Sequence, residues 1–269
     1  MSKGRVLVIG SNATEIEVRG GKGPTGQYLN ETVVPIWAIQ NAGYEVVLAT
    51  PTGIKPHIDE ASRGAQHFGG DAAMFHRAEL FFASDPSVNQ VRTLRSVIDE
   101  GLARYVGVFV PGGQAPVVDL MQDAEVGEIL RHFHVHQKPT ALLCHGPIAV
   151  IAALPTAREF RAALVAGDTA EAAELAKGWQ YGGYKMTIFS NSEETWVEHD
   201  ILHAEMYFHV VDALKIAGGD VWINQVDFEP HVIEDRELIT GQNPRSDHLL
   251  GASLVRALER AALHGERAA

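Results

Sequence analysis

The sequence has only one cysteine among its 269 residues, Cys144. One cysteine can form no intramolecular disulfide and cannot supply a cage of thiolate ligands for a metal, so a reducing compartment is expected. A lone cysteine is most often a small buried hydrophobic residue, and composition alone gives it no catalytic role. Any such role has to be argued from its position in the chain.

The sequence also lacks basic runs and long apolar runs. Its formal net charge is −12, from 22 Lys and Arg against 34 Asp and Glu, whereas electrostatic binding of nucleic acid depends on basic residues that neutralise phosphates. No apolar stretch approaches the length of a membrane span, and the N-terminal apolar stretch is too short for a signal peptide. We expect a cytoplasmic protein with neither a nucleic-acid nor a membrane partner.

What the sequence does contain is an alternation of short apolar runs with helical patterns, which is typical of βαβ units on a parallel sheet. Helices are predicted at 31–42, with Pro35 in the first turn, and at 88–104, 116–134, 148–154, 200–216 and 248–263. A long irregular loop is predicted at 51–86. The predicted strands of the sheet are at 5–10, 44–50, 106–110, 139–143, 185–189 and 220–225, with a hairpin at 229–241.

The alternation is interrupted between residues 155 and 184. This segment has an Ala/Glu-rich helical pattern and an aromatic cluster of Trp179, Tyr181 and Tyr184. We interpret it as a small helical cap, whose aromatic residues either anchor the cap or line a pocket. Because the chain contains no repeat or domain linker, a single α/β domain over residues 1–269 with a cap at 155–184 is predicted.

Three features follow the ends of predicted strands. The loop that leads to Glu31 follows the first strand, Gly112-Gly113 follows the third, and Cys144 follows the fourth. In an open parallel sheet, ligands bind outside the carboxyl ends of the strands. These residues are therefore expected to meet at one edge of the sheet.

Cys144 has the setting of a nucleophile. A residue between a buried strand and a helix sits on a sharp, exposed turn, and the N-terminus of the helix is expected to lower the pKa of its thiol. The amides of His145, Gly112 and Gly113 could bind an oxyanion.

His145 itself could transfer protons or contribute only its backbone. Glu31, Glu193 and Glu194 could be ordinary helix-end or surface carboxylates.

A metal site is not expected. His199 and His203 are four residues apart and could share a helix face, but no third ligand is evident.

Taken together, the motifs resemble those of the ThiJ/PfpI superfamily, and most closely its glyoxalase III branch, whose members are also described as heat-shock chaperones. The resemblance covers nearly the whole chain and rests on the order and spacing of several short motifs. These are Thr25-Gly26 with Glu31 and Pro35; Thr50-Pro-Thr-Gly53 with Pro56, Asp59 and Ser62; Val110-Pro-Gly-Gly113 with Asp119-Leu120; Leu143-Cys-His-Gly-Pro147; Phe189-Ser-Asn191 with Glu194; and Thr240-Gly-Gln-Asn-Pro-Arg-Ser246.

The resemblance implies a fold and a set of roles. The implied fold is an α/β/α sandwich of three layers with a mostly parallel sheet, of the flavodoxin-like, class I glutamine amidotransferase-like type. The resemblance also implies a homodimer. Cys144 would be the nucleophile, with His145 beside it and Glu194, rather than Glu193, as the acid that orients His145. Glu31 would hydrogen-bond the sulfur and shuttle protons, and Gly112 and Gly113 would form the oxyanion hole. The family's Gly-Gly-His-Gly is Gly112-Gly-Gln-Ala115 here, so Gln114 replaces a histidine.

The first functional hypothesis is a glyoxalase that needs no glutathione, metal or organic cofactor and converts methylglyoxal or a related 2-oxoaldehyde, a small-molecule carbonyl substrate, to a 2-hydroxy acid. The second keeps the cysteine but has it hydrolyse a C–N bond, as in an amidase or peptidase. The third is a redox-sensing or holdase protein in which an exposed, low-pKa Cys144 is oxidised.

Overall fold

The computed structural model describes residues 2–268, and their side chains through residue 263. The strands are β1 (Arg5–Ile9), β2 (Glu15–Val18), β3 (Gly21–Pro24), β4 (Glu45–Thr50), β5 (Arg92–Thr93), β6 (Tyr105–Val110), β7 (Thr140–Leu143), β8 (Lys185–Met186), β9 (Asp220–Val221), β10 (Val232–Asp235) and β11 (Leu238–Gly241). The helices are α1 (Leu29–Asn41), α2 (Ala72–Ser84), α3 (Pro86–Asn89), α4 (Leu94–Glu100), α5 (Ala124–Val135), α6 (Ala157–Ala166), α7 (Thr169–Leu175), α8 (Asn191–Val197), α9 (Val210–Ile216) and α10 (Asp247–Ala268).

The centre of the fold is a seven-stranded sheet in the order β10-β11-β7-β6-β1-β4-β5. All neighbouring strands are parallel except β10, which pairs antiparallel with β11. The inner strands β1, β6 and β7 are almost wholly buried, because helices cover both faces of a parallel sheet.

Helices flank this sheet in two groups. One group is α1 with α10, and the other is α4 and α5 with a short 3₁₀ helix, Gly146–Ala153. The predicted α/β/α sandwich with a mostly parallel sheet is therefore confirmed.

Several local predictions were wrong. The segment 185–189 does not continue the main sheet, because β8 pairs with β9 in a separate two-stranded sheet. The helix predicted at 200–216 is interrupted after a π-helical turn, Glu198–Leu202, by the left-handed residue His203. The helix predicted at 88–104 contains β5, so only Leu94–Glu100 is α-helical between this strand and a 3₁₀ turn.

The region 51–86 was predicted as an irregular loop but contains the helix α2. Asp71 begins this helix, since its side chain accepts hydrogen bonds from the amides of Ala73 and Met74. Two 3₁₀ turns precede it, Glu60–Ser62 and Ala65–Phe68. These turns carry residues that line the cavity described below.

The segment predicted as a cap, 155–184, contains the helices α6 and α7. Its aromatic residues are buried in the core rather than directed at the cavity beside Cys144. Trp179 donates a hydrogen bond to the carbonyl of Val150, and the Tyr181 hydroxyl donates one to the carbonyl of Leu130. These contacts anchor the segment, and none of its residues lines that cavity.

Within the described residues, no helix has both the length and the apolar character needed to cross a membrane.

Candidate active site

Cys144 occupies a sharp turn directly after β7. Its φ of 60° lies in the left-handed region, which is unusual for a residue with a side chain and marks a position held by its surroundings. The Cys144 amide donates to the carbonyl of Gly241 at 2.8 Å, and its carbonyl accepts from the amide of Phe189 at 3.1 Å. Only a glycine fits two residues later, since a Cβ on Gly146 would lie 2.6 Å from the carbonyl oxygen of Val110. The strand-to-helix turn expected of a nucleophile is present.

The Cys144 thiol differs from expectation in its exposure and its pKa. Only 2% of the residue is exposed, although its side chain lines a cavity. Burial raises the pKa of the thiol well above its usual value, and the neighbouring charge of Glu31 raises it further, while the amide of Gly113 opposes both. The prediction of an exposed thiol with a lowered pKa was wrong, because Cys144 is buried and burial disfavours the charged thiolate.

His145 and Glu194 extend from the sulfur as a chain of hydrogen bonds. His145 Nδ1 lies 3.3 Å from Cys144 Sγ, and His145 Nε2 donates to Glu194 Oε2 over 2.7 Å. Burial opposes ionisation of Glu194, but the charge and hydrogen bond of His145 dominate, with help from Gln114, and lower its pKa below the usual value. An ionised Glu194 accepts the Nε2 proton of His145, so in the neutral form of His145 the Nδ1 lone pair faces the thiol.

Gln114 completes this side of the site. Its Nε2 donates to Glu194 Oε1 over 2.7 Å, so both oxygens of Glu194 are occupied. The residue that replaces the family's histidine therefore contacts the acid and also lines the cavity.

Glu193 has different partners from its neighbour Glu194. Its two oxygens accept four hydrogen bonds, from the Ser190 and Phe228 amides and from the Gln242 and Asn243 side chains, at 2.7 to 3.0 Å. Together with Ser190 it forms the capping box of α8. The structure thus places Glu194, and not Glu193, against His145.

Glu31 also lies close to the sulfur. It lies in the first turn of α1 and is fully buried, and neither of its oxygens has a hydrogen-bond partner of good geometry among the described residues. Pro35 has no amide hydrogen to donate to the Glu31 carbonyl, so one helical hydrogen bond is missing at this turn. The helix begins at Leu29, which places Pro35 in its interior rather than in the first turn as predicted.

Burial raises the pKa of Glu31 to about 8. The nearby Cys144 thiol and the amides of Gly112 and Gly113 lower this pKa in part, while the charge of Asp247 adds to the rise. Glu31 is therefore mainly protonated at neutral pH and can give or take a proton close to it.

Gly112 and Gly113 bring backbone into close contact with these groups. A Cβ on Gly112 would lie 2.3 Å from Glu31 Oε2 and 2.6 Å from the Cβ of Cys144. Gly113 has φ 84°, and a Cβ there would lie 2.2 Å from the carbonyl oxygen of Gly26. No side chain fits at either position, and the Gly113 amide faces the thiol closely enough to lower its pKa.

A cavity of about 440 Å³ opens beside the sulfur. One wall is aromatic: the rings of His145 and Phe189 lie 4.5 Å apart, those of Phe189 and Phe228 6.2 Å, and those of Phe228 and Trp196 5.5 Å. Lining residues that the sequence did not identify are Tyr28, Asn30, Asp59, Ala61, Gln66, His67, Phe189, Trp196, Val197, Ile201, Phe228, Pro244 and Arg245. Asp59, Phe189 and the run Thr240–Ser246 belong to motifs of the resemblance, but only the fold shows that they surround a cavity.

No group of three or more His, Cys, Asp or Glu side chains that could hold a metal ion occurs within residues 2–263. His199 and His203 do not share a regular helix face, because His203 lies just after the π-helical turn in a left-handed conformation.

Comparison with known proteins places this geometry in a family. The model of the DJ-1/PfpI family matches residues 26–162, the part of the chain that contains Glu31, Gly112, Gly113, Cys144 and His145. Among curated relatives, a "Protein/nucleic acid deglycase HchA" of Staphylococcus aureus (strain Newman) is 26% identical over 259 residues, which cover 94% of this chain and 79% of that protein.

Solved structures show the same fold. The Rapid Encystment Protein 24 KDa of Francisella tularensis superimposes with a TM-score of 0.72 at 19% identity, over 95% of this chain and 99% of that one. Glyoxalase III from Candida albicans superimposes with a TM-score of 0.69 at 17% identity, over 94% and 97%. The family match and the shared fold lead to one conclusion: the chain belongs to the DJ-1/PfpI family.

Proposed function

We propose that this protein is a glyoxalase that acts without glutathione and converts a 2-oxoaldehyde such as methylglyoxal to the corresponding 2-hydroxy acid. The observation that carries the proposal is the pair of unlike acids around one sulfur. His145, held by its ionised partner Glu194, contacts Cys144, and the protonatable Glu31 lies close to the same sulfur.

The first step is addition of Cys144 to the aldehyde carbon. Because burial raises the pKa of the thiol, the sulfur holds its proton until His145 Nδ1, at 3.3 Å, removes it during attack. The carbonyl oxygen becomes the hydroxyl of a hemithioacetal by taking a proton from His145. In this proposal the amides of Gly112 and Gly113 stabilise the oxyanion before that transfer.

The second step moves hydrogen between two carbons. The ionised form of Glu31, the minor form at neutral pH, removes the proton from C1 and returns it to C2 by way of an enediolate. The hydroxyl proton on the C1 oxygen passes to the C2 oxygen in the same rearrangement, so that C1 is oxidised and C2 is reduced. A carboxylate with a pKa of about 8 is a stronger base than an ordinary one. Water then hydrolyses the thioester with His145 as base, releasing the 2-hydroxy acid and regenerating the thiol.

The direct test is lactate production from methylglyoxal by the purified protein in buffer without glutathione. Wild type should form lactate, and Cys144→Ala should form none while keeping its melting temperature. Matched rates in the two proteins would overturn the proposal. Glu193→Gln serves as a control for replacement of a buried acid outside the hydrogen-bond chain of His145.

Hydrolysis of a carbonyl adduct on an amine is the second candidate function, because the Staphylococcus aureus relative that covers 94% of this chain is named a protein/nucleic acid deglycase. The same name means that the expectation of no nucleic-acid partner lacks support from this relative. The two reactions separate at Glu31, since hydrolysis requires no base over a C–H bond. Glu31→Gln should reduce lactate formation far more than release of methylglyoxal adducts from an amine.

The amidase and redox-sensing hypotheses remain open with less support. The redox hypothesis needs an exposed thiol of low pKa, and Cys144 is buried with a raised one. The homodimer and the cytoplasmic location also stay predictions, which size-exclusion chromatography with light scattering and cell fractionation would test.

A further inference from the structure

Arg245 is an unpaired cation in the cavity beside Cys144. It is the only Lys or Arg among the residues that line this cavity. Its guanidinium forms no ion pair with a carboxylate among side chains 2–263, unlike Arg92 and Arg95 elsewhere on the molecule. An arginine without a protein partner at a ligand cavity is available to bind a ligand.

The backbone at Arg245 is rigidly held. It lies in the 3₁₀ turn Pro244–Ser246, whose first and last residues are buried while Arg245 is exposed. Asn30 Nδ2 donates to the carbonyl of Pro244 at 2.9 Å, and Ser246 Oγ donates to Asn243 Oδ1 at 3.1 Å. The side chain of Arg245 is therefore presented from a fixed backbone position.

The same turn is attached to both sides of the candidate active site. Asn30 directly precedes Glu31, and Asn243 Nδ2 donates to Glu193 Oε1, next to Glu194, at 2.8 Å. A ligand group held by Arg245 would thus be positioned relative to the same elements that carry the two acids.

The other charged groups of the cavity do not neutralise Arg245. Asp59 is the only Asp or Glu in the lining, and its Oδ1 accepts a hydrogen bond from the Ala61 amide at 2.9 Å. His67 Nε2 lies 2.9 Å from the Ala61 carbonyl, and burial together with the charge of Arg245 lowers the pKa of His67. His67 is therefore neutral at pH 7, and the fixed positive charge of the cavity lies on Arg245.

We propose that Arg245 forms a carboxylate-binding subsite, so that this cavity favours 2-oxoaldehydes that carry a carboxylate at the end remote from the aldehyde. A planar guanidinium offers paired N–H donors that match one carboxylate. The identity of the reaction rests on the proposed function, whereas binding of the carboxylate does not require turnover.

Binding without turnover is the first test. The probes are 4-oxopentanoate, a keto acid with no aldehyde, and its uncharged amide, titrated by calorimetry into wild type, Arg245→Gln and Arg158→Gln. Arg158 is an exposed arginine of α6 outside the cavity. Wild type and Arg158→Gln should bind the acid roughly tenfold more tightly than the amide, as one charge-assisted hydrogen-bonded pair allows, and Arg245→Gln should lose that preference. An equal preference in Arg245→Gln, or none in wild type, would overturn the subsite.

Kinetics provide the second test. The ratio of kcat/KM for 4,5-dioxopentanoate to that for its amide should fall about tenfold in Arg245→Gln, mainly through KM, and recover in part in Arg245→Lys. An unchanged ratio overturns the subsite. If neither aldehyde reacts, the proposed glyoxalase activity fails, and the binding preference alone decides whether the carboxylate subsite exists.

Discussion

Two buried acids near Cys144, Glu194 and Glu31, lie in opposite environments. Glu194 accepts hydrogen bonds from His145 and Gln114 and has a lowered pKa. Glu31 has no partner of good geometry among the described residues, and its pKa is raised to about 8. Burial is nearly complete for both acids, so hydrogen bonding, and not exposure, separates them. Acids whose pKa values are driven apart in this way are suited to different roles, one as a fixed charge and the other as a proton carrier.

The largest effect is expected from Glu31→Gln. The variant keeps the shape of the side chain but cannot take a proton from carbon, so lactate formation from methylglyoxal should fall by roughly 10³-fold. The measurement is kcat at saturating methylglyoxal. A loss smaller than about threefold would remove Glu31 from the proton-transfer step and end the proposed division of roles.

The next largest effect is expected from Glu194→Gln, in comparison with the same substitution at the adjacent Glu193. Glu194→Gln removes the charge that holds the proton on His145 Nε2, so kcat should fall by about 10²-fold. Glu193→Gln should leave a folded protein within about fivefold of wild-type kcat, since Glu193 contacts α8 and the 242–243 segment instead of His145. The reverse order of effects would identify Glu193 as the triad acid.

The Glu31→Gln substitution should raise the stability of the protein although it lowers the activity. The folded-state pKa of Glu31, about 8, exceeds the ordinary value of 4.5, so the folded protein holds this proton more tightly than the unfolded chain. The resulting destabilisation of the folded state is absent below pH 4.5 and grows as pH rises toward 8. The stability advantage of Glu31→Gln over wild type in urea unfolding should widen by roughly 2 kcal/mol between pH 6 and pH 8. A constant difference across that range would contradict the raised pKa.

Glu193→Gln is the matched control for stability. It replaces a carboxylate that accepts four hydrogen bonds with an amide that cannot accept all of them. Unfolding in urea should show a loss of about 3 kcal/mol. A gain similar to that of Glu31→Gln would mean that any buried acid in this region is destabilising.

The smallest effect is expected at Gln114. Gln114→Leu leaves one oxygen of Glu194 without its donor, which should raise the pKa of Glu194 and weaken its hold on His145. We expect kcat to fall roughly three- to tenfold, corresponding to one hydrogen bond. Gln114→His tests the residue found in the family, and a larger loss in this variant than in Gln114→Leu would show that this site has adapted to glutamine.

The features predicted well from sequence are those that repeat along the chain. The strands β1, β4, β6 and β7 are continuous apolar runs, and their carboxyl ends bring Cys144 and Gly112-Gly113 together as the topology of a parallel sheet requires. The place of Glu194 opposite His145 came from the family resemblance, since nothing in its local sequence separates it from Glu193.

The features missed depend on tertiary environment. The thiol of Cys144 was expected to be exposed because strand-to-helix turns often are, but the residue is buried in the fold. Trp179, Tyr181 and Tyr184 could have lined the pocket, yet they fill the core. The residues that line the cavity, such as His67 and Arg245, come from short 3₁₀ turns that leave no periodic pattern in the sequence.

The most direct test of the central claim is to titrate the two acids themselves. Difference infrared spectra of wild type against Glu31→Gln and against Glu194→Gln, recorded from pH 5 to pH 9, follow the carboxyl band of each residue. The account predicts that the protonated band of Glu31 disappears near pH 8 and that Glu194 is ionised over the whole range. Ionisation of Glu31 already complete at pH 6 would contradict it.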